Sequence, residues 1–272
     1  MNTRVTIITF IVVFAIGIFF VVIFPFFLVK RPAPSTTTPT NPTKQNTKQE
    51  VQLTDQGVFR SDDGGVTWQQ KAFVEGSDAS IAAFKVNRLV SDRKDPETFY
   101  LLTNGAGLWV TRSRGDLWAP VIDQAHVLDP KSDVLGFAVN PANPQEWYAA
   151  VFQANRGRLL VSEDGGAHFR ETYATSLDRY GIFDVIYGAG RVEIVTGQGG
   201  FLASQDHGRT WTVLRWFADG LVRMLVDPTN LDREYVISSR GSVFQTEDAG
   251  ATWADVTNGI RSTGFKDLCF RI

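Results

Sequence analysis

Apolar and polar positions divide the chain into three regimes. Val5 to Val29 is an unbroken run of 25 apolar or near-apolar positions without a charge. As a helix it extends about 37 Å, more than the ~30 Å hydrocarbon layer of a bilayer. It exceeds the ~7–15 apolar residues of a cleavable signal, so a transmembrane anchor is expected over residues 1–30. Residues 31–50 hold Pro, Thr, Asn, Gln and Lys and no large apolar side chain. Such a stretch cannot offset its ordering entropy by burial, and reads as a disordered linker. From Val51 to Ile272 the pattern becomes short alternating runs broken by Gly, Asn, Asp and Pro, which predicts strands and tight turns throughout.

Within that region one eight-residue pattern recurs. Ser61-Asp-Asp63-Gly-Gly65-Val-Thr-Trp68 is followed by Ser162…Asp164…Gly166…Phe169, Ser204…Asp206…Gly208…Trp211 and Thr246…Asp248…Gly250…Trp253. A worn copy, Thr111…Ser113…Gly115…Trp118, has Ser in place of Asp. Ser and Asp side chains accept hydrogen bonds from backbone N–H groups a few residues on. Gly supplies the positive φ of a tight hairpin, and the aromatic folds back beneath it. The motif therefore reads as a structural hairpin lock rather than as a set of catalytic acids. It resembles the Asp-box, or BNR, repeat of sialidases, sortilin-type receptors, two-domain xyloglucanases and photosystem II assembly-factor proteins. That resemblance implies a β-propeller with each box between the third and fourth strands of a blade.

The copies start at residues 61, 111, 162, 204 and 246, which leaves 42 to 51 residues per interval. One four-stranded blade needs about 40–50 residues, so five blades are expected over residues 51–272. Innermost strands are predicted at Val86–Ser91, Val134–Val139, Ile182–Tyr187 and Leu221–Val226, and second strands at Thr98–Thr103, Glu146–Phe152, Arg191–Thr196 and Glu234–Ser239. The first repeat lacks an innermost strand, and the chain ends in a strand-like segment with no blade after it. The expected solution is a split first blade, completed by Phe265–Arg271, that closes the ring. The third positions of the aligned innermost strands are Arg88, Gly136, Asp184, Arg223 and Asp267. Alternation places them on one face, so Arg88, Asp184, Arg223 and Asp267 should form a ring of alternating charge in the central tunnel. Two readings stay open. The ring is a self-satisfied plug, or a pocket whose guanidiniums hold a carboxylate, a sugar or a peptide terminus.

The loops leading into the innermost strands gather on the entrance face and offer Asp78, His126, Asp129, Lys131, Arg179, Tyr180, Asp219 and Arg261. No catalytic set emerges. Sialidase chemistry asks for three arginines and a Tyr–Glu pair; two aligned arginines are present, and no Glu is placed beside Tyr180. His126, His168 and His207 have no metal-ligand spacing, and no metal or cofactor is expected. Cys269, the one cysteine, forms no disulfide framework. From residue 51 on there are 22 Lys and Arg against 28 Asp and Glu, once the five Lys/Arg and one Glu before it are set aside. That balance argues against nucleic acid. The expected function is a membrane-tethered scaffold for a protein or glycan partner at the cell envelope, with the propeller outside the cytoplasm by analogy with other Asp-box domains. The alternative is a glycan hydrolase of sialidase or related type.

Overall fold

The computed structural model describes residues 57–257. The expected anchor at Val5–Val29, the linker at 31–50, the closing strand Phe265–Arg271 and Asp267 lie outside them. The described residues are all β, and among them no helix is long and apolar enough to cross a membrane. A short hairpin comes first, β1 (Phe59–Arg60) with β2 (Gln69–Gln70). Four antiparallel meanders of four strands follow. Blade I holds β3 (Lys85–Ser91), β4 (Phe99–Asn104), β5 (Leu108–Thr111) and β6 (Ala119–Pro120). Blade II holds β7 (Asp133–Val139), β8 (Trp147–Gln153), β9 (Arg156–Ser162) and β10 (Arg170–Ala174). Blade III holds β11 (Ile182–Gly188), β12 (Arg191–Thr196), β13 (Gly200–Ser204) and β14 (Thr212–Trp216), and blade IV holds β15 (Leu221–Asp227), β16 (Asn230–Ser238), β17 (Val243–Thr246) and β18 (Ala254–Asp255).

The expected count of five blades is corrected here: the described residues build four complete blades, not five. The physical reason lies in the first repeat. Its chain supplies only the two strands that flank a box, and the segment expected to complete it falls outside the described residues.

The core sits in the seams between blades. Tyr100, Leu102 and Leu108 of blade I pack with Val134, Phe137 and Trp147 of blade II. Tyr148 and Leu159 of blade II meet Ile182, Val185 and Ile194 of blade III. Val195 and Phe201 of blade III meet Leu221, Met224 and Val236 of blade IV. Ala72, Ile81 and Trp118 join the hairpin to blade I. Each fully buried Leu, Ile or Phe in such a seam contributes about 1.5–3 kcal/mol.

The innermost strands carry a feature that simple alternation misses. Their register with the second strand slips at Asn87, Leu135, Phe183 and Val222, the same position in every complete blade. A bulge there re-aims the residues that follow. Val134 with Phe137, Ile182 with Val185 and Leu221 with Met224 therefore share one seam face, three residues apart. The third position between them is released towards the tunnel.

Candidate functional site

Each box closes by the same short-range bonds. The Ser or Thr hydroxyl at the first position accepts from the glycine N–H at 2.7–3.0 Å in all five copies. The Asp accepts from the backbone N–H of the seventh residue at 2.7–2.9 Å. Its second oxygen takes the side chain of that residue: the hydroxyls of Thr67, Thr210 and Thr252, or the His168 imidazole. The seventh position thus belongs to the motif, and the Thr before three of the aromatics was its signal in the sequence. In the worn copy Ser113 keeps the bond to the Leu117 N–H but meets no side-chain donor there. These donors hold the Asp63, Asp164 and Asp248 carboxyls down at about 2, and Asp206 lower still. Carboxylates so bound are locked turn anchors, unsuited to proton transfer near neutrality.

Of the four residues expected in the ring, Arg88, Asp184 and Arg223 are described, and both arginines approach Asp184. Asp184 on β11 is 1% exposed. It receives Arg88 Nη1 at 2.6 Å from blade I, and lies 3.8 Å from Arg223 Nε of blade IV. The Val185 and Met224 backbone N–H groups donate to it at 3.0 and 3.2 Å. Burial raises the Asp184 carboxyl above its ordinary value, and Arg88 opposes the rise. Gly136 makes the long reach of Arg88 possible. A methyl group placed on it would sit 3.0 Å from the Asp184 Cα and the Val185 nitrogen, so blade II leaves its place in the ring unfilled and Arg88 passes to blade III.

Below the ring opens a cleft of about 320 Å³. It is lined by the second halves of the innermost strands and by turns that follow two of them, at residues 91–94 and at Asn140, Pro141 and Pro144. It therefore opens on the face opposite the loops expected to carry function. Among those loops, His126, Asp129, Lys131, Arg179 and Tyr180 do not line it. Asp123, unremarked in the sequence, anchors one of them: it accepts from the N–H groups of Ala125, Val127, Leu128 and Phe169. Burial pushes its carboxyl upward, but these four donors bring it below the ordinary value. Charged residues at the cleft are Arg88, Arg93, Lys94 and Arg223 against Asp92 and Asp184. Asp92 accepts from Tyr100 Oη at 3.2 Å and from the Lys94 and Asp95 N–H groups.

A Tyr–Glu pair does occur, at Tyr148 and Glu146, with the phenol donating to the carboxylate. Both are buried. Asn140 Nδ2 and His207 Nδ1 also meet that carboxylate, at 2.9 Å each. Burial first, then the bond to Glu146, raises the Tyr148 phenol. This set ties blade II to blade III, with the Glu146 carboxylate of one meeting the His207 imidazole of the other.

The fold and the repeated turn define an Asp-box β-propeller. The BNR/Asp-box repeat family matches residues 59–70, the first copy. No curated protein matches the sequence. Among solved structures, the GH74 xyloglucanase from Xanthomonas campestris superposes with a TM-score of 0.52 at 19% identity, over 64% of this chain and 31% of that one. The GH74 enzyme of Niastella koreensis gives 0.52 at 18%, over 64% and 30%. YCF48 from Cyanidioschyzon merolae gives 0.48 at 17%, over 61% and 54%. The chain spans less than a third of the length of the two GH74 enzymes, and likeness at this identity is likeness of fold.

Proposed function

We propose that this chain is a membrane-tethered binding module for a protein partner, engaged through the tunnel cleft. The observation that carries the reading is the cleft's charge. Asp184 is already engaged by two guanidiniums and two backbone N–H groups. Four cations stand against two carboxylates on its walls, although the domain as a whole is acidic. An anionic group on the partner, a side-chain or terminal carboxylate, suits such a site through charge-assisted hydrogen bonds. Residues 5–29 act as the anchor and 31–50 as the tether, with the propeller outside the cytoplasm. A glycan ligand or a hydrolase finds less support, since the ring carboxylate is held between arginines.

The test uses the full-length chain in detergent micelles. Partners are captured from a solubilised envelope fraction by photo-crosslinking from the cleft mouth, and compared with an Arg93→Glu/Lys94→Glu variant. Both positions are exposed, so the fold is retained. Loss of the crosslinked protein, together with competition by carboxylate-terminated but not amide-terminated peptides, supports the reading. Capture unchanged by charge reversal sinks it.

A further inference from the structure

One edge of blade III collects aromatic side chains on the face opposite the cleft. Gly197-Gln198-Gly199-Gly200 turns β12 into β13. A methyl group placed on Gly197 would lie 2.8 Å from the Phe183 ring and 3.5 Å from the Tyr180 ring, and one on Gly200 would lie 2.9 Å from the Trp216 ring. The turn is rich in glycine because three rings occupy the space beside it. The loop before β11 is knit to this turn: the Gly197 N–H donates to the Gly181 carbonyl at 2.9 Å, and Gln198 Nε2 donates to Ser176 Oγ at 3.1 Å. The surface so formed is open. Trp216 is 53% exposed, Leu177 57% and Tyr180 41%. Its rim is basic. Arg156 pairs with Asp178 and Arg240 with Asp219. Arg179 and Arg215 are exposed and meet no carboxylate among the described residues.

The first described residue, Gly57, lies on the same face. It stands four residues before its box, as Gly107 and Gly200 stand before theirs. The Gly107 N–H donates to the Ser132 carbonyl at 3.1 Å, in the loop that leads into β7. A methyl group on Gly57 would meet the Ala82 carbonyl at 3.2 Å, in the loop that leads into β3. Residues 30–56 therefore join the domain on the face that carries the aromatic surface. An extended chain of that length spans at most about 95 Å. It permits contact with a bilayer without fixing which face makes it, so the side chains on each face decide. Trp and Tyr favour the headgroup layer, where one end of the ring system is apolar and the other wet, and guanidiniums meet phosphate there. We propose that the entrance face of blade III rests on the bilayer, with Leu177, Tyr180 and Trp216 at headgroup depth and Arg179 and Arg215 on lipid phosphates. The tether makes this contact intramolecular, so that a patch too weak to bind vesicles alone stays engaged. The cleft then faces away from the lipid, where a partner reaches it. The inference rests on residues 5–29 being the anchor proposed above.

The test places the full chain in nanodiscs of phosphatidylcholine and phosphatidylglycerol, a single copy to each disc. In a Cys269→Ser background, Leu177→Cys and Leu231→Cys each carry an environment-sensitive fluorophore. Leu231 is 46% exposed at the start of β16, on the cleft side. We expect emission at position 177 to shift to the blue and to be quenched by headgroup spin-labelled lipid, and emission at 231 to do neither. Arg179→Glu/Arg215→Glu, at exposed positions that spare the fold, should lower the ratio of contacted to free domain by at least about fivefold, roughly the contribution of one cation near an anionic leaflet. Disc-bound chain that shows no lipid quenching at 177, equal quenching at both positions, or quenching indifferent to the charge reversal overturns the inference and leaves the anchor standing. Shielding of 177 from aqueous iodide without lipid quenching overturns it as well, since protein then covers the patch. A chain that fails to co-purify with the discs removes the anchor, and this inference with it.

Discussion

Replacing Arg88 by alanine isolates the electrostatic centre of the ring. Asp184 would keep Arg223 at 3.8 Å and two backbone N–H groups, but lose its 2.6 Å partner. Stripping one member from a buried pair costs about 3–5 kcal/mol. The remaining donors and the partial exposure of Arg88 to the cleft reduce this to about 2 kcal/mol. For a domain of this size that is a fall in Tm of about 4–8 °C. The sign with pH is the sharper test. The folded-state carboxyl of Asp184 already lies above its unfolded value because of burial. Its contribution is full below the unfolded value of about 3.9 and is lost as pH rises through the folded value. Without Arg88 the folded value rises further, so the variant's deficit should grow between about pH 5 and about pH 8. Urea melts of wild type, Arg88→Ala, Asp184→Asn and the double variant at both pH values measure this. A deficit that is flat with pH, or a double variant as weak as the sum of the singles, would refute the reasoning.

Three further outcomes follow from the same structure. Gly166→Ala should cost about 2–4 kcal/mol, because φ is 91° and a methyl would meet the Trp147 ring at 2.5 Å; Gly64→Ala, with φ 72° and open space around it, should cost about 1 kcal/mol by denaturant melts. The box aspartates hold folded values of about 2, so their stabilisation is present above about pH 4 and lost as pH falls towards about 2; acid titration followed by circular dichroism should show a shallower loss in Asp63→Asn/Asp248→Asn. Glu193, buried beside Glu234 with Arg191 touching both, is pushed up to about 8 by burial first and then by Glu234. Its contribution is full below about pH 4 and is lost as pH rises through about 8, so Glu193→Gln should melt higher than wild type at about pH 9 and match it at about pH 5.

The boxes were legible because they are local. Their bonds span no more than four residues, and Ser61, Asp63, Gly65 and Trp68 state the geometry outright. The third position of the innermost strands could also be aligned, since Arg88 and Asp184 each stand two residues after the apolar residue, Val86 or Ile182, that opens the matching run. What lay beyond reach depends on how one blade turns against the next. The bulge at Asn87, Leu135, Phe183 and Val222 leaves no mark on residue type. The pairing of Glu193 and Arg191 with Glu234, and of Glu146 with His207, joins sites 41 to 61 residues apart through a rotation that no short spacing encodes. The lining of the cleft lay out of reach for the same reason: Arg93 and Lys94 sit in a turn, and they meet the other lining residues only once neighbouring blades are brought together.

Gly136 sets the spacing of the second and third blades. Where it stands, two sheets approach main chain to main chain, with no side chain between them as a spacer. The separation of these two sheets is accordingly governed by the smallest residue between them rather than by the charged ones. Bulk added at that one point must push the third sheet outward, widen the bore and pull the guanidinium of Arg88 out of range, so that lumen size and ring charge would change in a single mutational step.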